Sequence, residues 1–168
     1  MTDPLPRVIA ILALGLALTG CGGSAPAPAS GQAQAQQEAV VQVGDVLVRA
    51  NAISTSNLGE AVARQYGIER DARTVMLLVG VRRTGDGGET ALPARVTAAA
   101  ADLLGKRQAL AMREVRSGDP GSGPGQGFID YVGIAHVIAP DTLRFDVEVV
   151  PEGGSPMQLR FNRDFFPR

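Results

Sequence analysis

Alternation of apolar and polar residues with a period of two is the feature that most constrains the fold of this chain. It is clearest in Thr142–Val149, where every second residue of TLRFDVEV is apolar, and it returns in Met157–Phe161. Such alternation is typical of a strand with one buried face and one face in water. The glycines of Glu152-Gly153-Gly154 suit a tight turn, so the two runs predict a β-hairpin.

Five further segments predict strands. Val75–Val81 is more continuously apolar, which suits the centre of a sheet, and Gly85-Asp86-Gly87-Gly88 connects it to a strand at Leu92–Ala99. About seven strands separated by turn signals predict an all-β fold, a single immunoglobulin-like β-sandwich; a closed barrel is the alternative. The other predicted strands are Val40–Ala50, Gln108–Val115 and Phe128–Ile138.

One short helix interrupts the predicted strands. Asn57 followed by Glu60 has the spacing of a capping box, which predicts that the helix begins at Asn57. Gly67 predicts its end in a left-handed C-cap. A helix of barely three turns must be stabilised by packing on the sheets. Its predicted buried face consists of residues at helical spacing, namely Leu58, Val62 and Tyr66.

The N-terminus has the three parts of an export signal. A short polar lead precedes the apolar run Val8–Leu18, which is shorter than the roughly 20 residues that cross a bilayer but suits a signal-peptide core. The following Leu18-Thr19-Gly20-Cys21 resembles the lipobox of bacterial lipoproteins. We therefore expect cleavage before Cys21 and lipid attachment to its thiol, which also explains why a secreted chain has a single cysteine.

These features divide the chain into a signal peptide at 1–20, a lipidated cysteine and disordered tether at 21–38, and a sandwich domain at 39–168. The tether contains Gly, Ser, Ala, Pro and Gln with no large apolar residue, and its expected span is roughly 20–25 Å. By resemblance to the sorting rule of enteric lipoproteins, Gly22 favours the periplasmic face of the outer membrane over the inner membrane. The expected partners are the membrane, through the lipid, and an envelope protein.

Composition and motifs argue against several functions. The net charge of -1 and the lack of a basic block exclude a nucleic-acid partner. The glycine-rich loop Gly118–Gly127 lacks the Lys-Ser or Lys-Thr ending of a phosphate loop, which favours a hairpin connection. His136 is the only histidine and no second cysteine accompanies Cys21, so we predict no metal, no cofactor and no catalytic residue.

The segment Gln65–Arg70 is the one candidate recognition site in the domain. Tyr66 and Arg70 flank the glycine turn at Gly67, so they could form a surface that binds a partner, with Arg73 nearby. The structural alternative has Tyr66 packed under the helix end and Arg70 bonding the last helical carbonyls. We favour the structural alternative.

Nearly all of residues 40–166 resembles a family of exported bacterial proteins, domain of unknown function 4426. The most specific element is Tyr66-Gly67-Ile68-Glu69-Arg70, and the resemblance implies a small β-rich envelope domain without an established activity. Gly118–Gly127 is longer here than is usual in the family, and many relatives carry a plain cleaved signal. The other matching segments are Ala50–Leu58, Val62-Ala63, Val75–Val81, Leu103–Arg107, Met112–Glu114, Tyr131–Gly133, Leu143–Phe145 and Arg160–Phe166.

The sequence is compatible with three functions. We rank first a non-catalytic interaction or assembly module, because the sequence offers a sandwich scaffold, a tether and no catalytic constellation. Second is a protein that binds a small molecule or glycan in a cleft between the helix and the sheets, with Arg70 and Arg73 as polar anchors. An envelope hydrolase built on His136 or on two converging carboxylates ranks last.

Overall fold

The alternating segments do form strands, and these pair into two antiparallel sheets that enclose a common core. The computed structural model describes residues 38–118 and 127–167. It confirms the predicted all-β sandwich, with ten strands in place of about seven. The strands are β1 Ala39–Val43, β2 Val46–Ser54, β3 Thr74–Gly85, β4 Gly88–Ala91, β5 Ala94–Ala101, β6 Arg107–Leu110, β7 Arg113–Ser117, β8 Phe128–His136, β9 Asp141–Pro151 and β10 Met157–Phe165.

The six-stranded sheet has the order β1-β2-β3-β8-β7, with β4 paired to the far end of the long strand β3. The four-stranded sheet has the order β10-β9-β5-β6. The predicted β9–β10 hairpin is confirmed, with Met157 opposite Val149 and Phe165 opposite Asp141. The β7–β8 pairing, with Ser117 opposite Phe128, makes Gly118–Gly127 a hairpin connection whose residues 119–126 lie outside the described chain.

The prediction of a single strand is wrong for two segments, because each contains two strands. Val40–Ala50 folds back on itself at Gly44-Asp45, where Gly44 takes a left-handed φ of 60° that glycine accepts without strain. Gln108–Val115 is broken between Leu110 and Arg113, where the chain leaves the four-stranded sheet and enters the six-stranded one. The phase of the alternation changes at each break, from Val41 and Val43 to Val46 and Val48, and from Leu110 to Val115. This change of phase is the local sign that the prediction of single strands overlooked. The short strand β4 was not predicted.

The main core lies between the sheets and is built from the inward residues of the alternating strands. Phe145 is fully buried there and stacks on Phe161, with ring centroids 5.1 Å apart. Tyr131 also points inward, and its hydroxyl accepts a hydrogen bond from the Ala94 amide (2.7 Å) and donates one to Glu114 (3.2 Å). This hydroxyl therefore ties β8 to β5 in the opposite sheet and to its neighbour β7.

A second, smaller core lies on the outer face of the six-stranded sheet. There a 3₁₀ turn at Thr55–Asn57 and the helix α1, Glu60–Tyr66, cover the sheet. The members of this core are Leu58, Ala63, Met76 and Val132, with Ile53, Tyr66, Ile68, Leu78 and Val115 packed against them. No helix in residues 38–118 and 127–167 is long and apolar enough to cross a membrane.

The helix corrects two details of the sequence prediction. Its N-cap is Gly59 and carries no side-chain bond, because Asn57 belongs to the preceding 3₁₀ turn. Val62 is exposed, and Ala63 takes its place on the buried face. The predicted end is confirmed, since Gly67 is a left-handed C-cap with φ of 57°.

Candidate functional site

The lipid attachment residue Cys21 and the cleavage motif Leu18, Thr19 and Gly20 lie outside the described residues. The predicted anchor therefore stays a prediction from the sequence. The predicted recognition residues Tyr66, Gly67, Arg70 and Arg73 lie within the described residues.

Tyr66 sits at the end of α1 with its ring partly buried against the second core. Its hydroxyl donates a hydrogen bond to Asp130 Oδ2 (2.9 Å), and its backbone carbonyl accepts one from Arg113. Helix and sheet are thus in contact at the position where a cleft was predicted. Leu58 and Ala63 fill the space with apolar side chains.

The two arginines of the predicted surface point to different places. Arg70 donates to the Ser56 carbonyl (3.0 Å) and so binds the 3₁₀ turn. The carbonyl of the last helical residue, which Arg70 was expected to bind, accepts instead from Arg113 of β7. Arg73 extends into solvent beside Asp71. The buried Thr55 hydroxyl fixes the intervening loop, because it accepts a hydrogen bond from the Asp71 amide (2.9 Å). The structure therefore gives Tyr66, Gly67 and Arg70 structural contacts and leaves Arg73 exposed.

Asp130 is the centre of a polar network that the sequence did not indicate. Besides the Tyr66 hydroxyl, its carboxylate accepts a hydrogen bond from Arg82 (2.9 Å), and only 12% and 13% of the two side chains are exposed. Arg82 also donates to the Ile129 carbonyl (2.8 Å) and lies over the ring of Phe128. Both charged groups thus have hydrogen-bond partners besides each other, which is a condition for an ion pair to be tolerated inside a fold.

The Tyr66 phenol stays protonated in this network. Burial, with the hydrogen bond to the Asp130 carboxylate, raises the pKa of Tyr66 to about 12. Burial also raises the pKa of Tyr131. An ordinary tyrosine has a pKa near 10. Tyr66 therefore acts as a hydrogen-bond donor at neutral pH and is unsuited to proton abstraction.

We predict a high-pH transition from these two shifts. The unfolded chain loses its tyrosine protons near pH 10, below the pKa of Tyr66 in the folded chain. The stabilisation that the protonated Tyr66 gives the folded state is therefore fully present below pH 10 and is lost as pH rises toward 12. Absorbance at 295 nm measures the ionisation directly, because the chain has two tyrosines and no tryptophan. The folded protein should ionise later than the protein in urea. The prediction would be contradicted if the curves of the folded protein and of the protein in urea coincided, both for the wild type and for Tyr66→Phe.

His136 ends β8 at an exposed position. Its backbone, rather than its ring, is bound: the Gln108 side chain donates to the His136 carbonyl and accepts from its amide, both at 2.8 Å. No cluster of three or more His, Cys, Asp or Glu side chains that could hold a metal occurs among the described residues.

A second surface is a shallow trough on the outer face of the four-stranded sheet. Its volume is about 430 Å³, and it is open along the sheet. Small side chains of β5 and β6 line it together with charged side chains of β6, β9 and β10. We call this surface the sheet trough, and its defining residues are Thr97, Ala99, Arg107, Ala109, Asp146 and Arg160.

The ion pairs of the sheet trough depend on the small residues that line it. Ala99 of β5 lies opposite both Ala109 and Asp146, so it separates β6 from β9. Because no long side chain rises there, Arg107 reaches across β5 to Asp146 (2.8 Å). Arg160 of β10 binds the other oxygen of the same carboxylate (3.1 Å). Two largely exposed guanidinium groups thus share one carboxylate, which leaves donors directed at solvent.

Sequence reasoning missed this trough because its residues come from four strands. The alternation did predict that Asp146 and Arg160 point away from the core. The run Ala98–Ala101 was the available signal, since a strand poor in large side chains leaves a depression on its exposed face. Strand order was the missing information.

Comparison with known proteins gives a family match and a structural match. The sequence model of the family described as a domain of unknown function, DUF4426, matches residues 40–168. The crystal structure of a DUF4426 family protein from Pseudomonas aeruginosa PAO1 is similar to this chain, with 27% sequence identity and a TM-score of 0.61. The similarity covers 78% of this chain and 96% of that one. A search of curated proteins finds no match.

Proposed function

This chain belongs to the DUF4426 family, and from that premise we propose that it is a lipoprotein of the bacterial cell envelope that acts as a non-catalytic interaction module. The lipid on Cys21 holds it at the periplasmic face of the outer membrane. The sheet trough binds a partner protein of the envelope. The observation that carries this proposal is the trough itself, an open surface built by four strands in which charged side chains lie beside small apolar ones.

The chemistry of the sheet trough suits protein recognition better than catalysis. Arg107 and Arg160 offer planar sets of donors that match carboxylates and backbone carbonyls, and arginine is enriched at protein interfaces. Asp146 holds both guanidinium groups in place before a partner arrives, which reduces the entropy lost on binding. A small ligand is normally enclosed on most of its surface, whereas this trough is open.

Site-specific photocrosslinking in cells tests the interaction. A photoreactive residue at Ala109, which is exposed in the trough, should give a discrete adduct with an envelope protein. The matched control is Val40, which is also exposed, on β1 of the other sheet, and should give none. The charge reversal Asp146→Arg should abolish the Ala109 adduct while the protein stays folded. Equal labelling from both positions, or an adduct that survives Asp146→Arg, would refute the role of the trough.

Metabolic labelling with a fatty acid tests the anchor separately. Wild-type protein should incorporate label and separate with the outer membrane on a density gradient. Cys21→Ser should lose both properties, because Cys21 is the only thiol available for the lipid. Labelled Cys21→Ser protein would refute the anchor.

A further inference from the structure

Four large apolar side chains are exposed at one end of the sandwich. Leu104 is 96% exposed, Ile138 84%, Leu103 74% and Phe166 63%. They project from three separate places in the chain: the β5–β6 turn, the β8–β9 connection and the segment after β10. Clustered apolar exposure of this kind marks a surface that contacts another apolar phase.

The strand pairings bring these places together. Asp141 begins β9 and lies opposite Phe165, so Phe166 follows at the same end. The Leu103 amide donates to the Asp141 carboxylate (3.4 Å), which puts the β5–β6 turn beside the start of β9. Ile138 lies on the connection that enters β9. We call Leu103, Leu104, Ile138 and Phe166 the apolar end.

The start of the domain faces the same way. Ala39 lies opposite Ala50, and from there β2 continues to Ser54, which lies opposite Val75 near the start of β3 at the apolar end. At 3.3 Å per residue, the chain enters β1 about 13 Å short of that end. Because β1 runs away from the apolar end, Ala39 is the residue of β1 that lies nearest to it.

We propose that the apolar end inserts into the surface of the lipid bilayer that holds the chain through Cys21. The inference rests on the proposed lipid anchor. Residues 22–38 would span roughly 20–25 Å as a flexible chain, which is enough to let a domain entered 13 Å from its apolar end reach the headgroups. A tether of this length keeps the local concentration of the domain at the membrane in the millimolar range, so a weak insertion is sufficient.

Apolar contact drives this insertion, since charges of both signs lie around the apolar end. Arg73 is paired with Asp71, and Lys106 lies in the same turn as Asp102, whose carboxylate accepts a hydrogen bond from the Lys106 amide. An uncharged phospholipid surface should therefore serve as well as an anionic one, and salt should not release the domain. Docking in this position stands the strands upright on the membrane and turns the sheet trough sideways, toward proteins in the same membrane.

Tryptophan fluorescence on vesicles tests the proposal, because the chain has no tryptophan of its own. Leu104→Trp reports the apolar end, and Val43→Trp is the matched control at an exposed position beside the β1–β2 turn, at the opposite end. Each full-length lipidated variant is placed in phosphatidylcholine vesicles brominated in the middle of the acyl chains. Leu104→Trp emission should shift to the blue and be quenched by the bromine, and Val43→Trp emission should do neither. The added changes Leu103→Ser and Phe166→Ser should remove the quenching.

Sedimentation with the same vesicles separates the two proposals. Protein that sediments without quenching of Leu104→Trp keeps its anchor and overturns the insertion. Protein that does not sediment contradicts the anchor and overturns with it the insertion that rests on the anchor. A blue shift that appears without lipid and grows with protein concentration would assign the apolar end to a second copy and overturn insertion. Quenching lost in high salt would overturn the apolar mechanism.

Discussion

Replacing Asp130 with alanine is expected to lower the free energy of unfolding by about 3–5 kcal/mol, because it leaves a buried cation without its counter-ion. Arg82 would keep its bond to the Ile129 carbonyl but lose the carboxylate, and the Tyr66 hydroxyl would lose its acceptor. The loss would also loosen α1, since Tyr66 ties the helix end to β8. Urea unfolding followed by circular dichroism measures the change as a lower midpoint.

Asp45→Ala is the matched control for Asp130→Ala. It removes an aspartate whose ion pair with Arg83 is exposed on both sides, and such pairs contribute about 0–1 kcal/mol. Its unfolding midpoint should stay close to that of the wild type. Similar midpoints for Asp130→Ala and Asp45→Ala would show that the buried network does not stabilise the fold.

Phe145→Ala is expected to cost about 3–5 kcal/mol, through lost apolar burial and the cavity left behind. Phe145 is completely buried on the inner face of β9, opposite Ala100 of β5 and Phe161 of β10. The small size of Ala100 makes the site hard to refill, since a neighbouring alanine cannot move a side chain into the space. The expected result is a large drop in the urea midpoint at unchanged slope.

Phe166→Ala removes the same side chain from a site that is 63% exposed and serves as the control. In lipid-free solution it should change stability by less than about 0.5 kcal/mol. Comparable losses for the two variants would mean that the space between the sheets is not the main source of stability. The contrast also bears on the apolar end, because residues there should affect membrane docking without affecting folding.

The two sheets of the sandwich differ in how their outer faces are covered. The second core and the Asp130 network fix the helix against the six-stranded sheet, and this surface gives Tyr66 a structural role. The four-stranded sheet has no such cover among the described residues, and its trough remains open for a partner. The apolar end would set the direction in which that trough faces.

Much of the architecture could be predicted because alternation is a local property. The residues of Thr142–Val149 and Met157–Phe161 show which side chains face the core, and a single glycine at 67 shows where the helix ends. The same local information misplaced the helix start and joined β1 to β2. The change of phase at Gly44-Asp45 was a local sign of the β1–β2 turn. Nothing in the local pattern shows that Asn57 belongs to a 3₁₀ turn.

By itself, the sequence determined that the domain is an all-β sandwich with one short helix, and it identified the DUF4426 family. It also predicted the lipid on Cys21, a property of a local motif. Only the tertiary structure decided which polar residues meet. Asp130 and Arg82 lie 48 positions apart, and Arg107 reaches Asp146 across a strand that contributes only alanine at that point. Strand order creates such contacts, and strand order follows from the packing of the whole chain rather than from any segment of it.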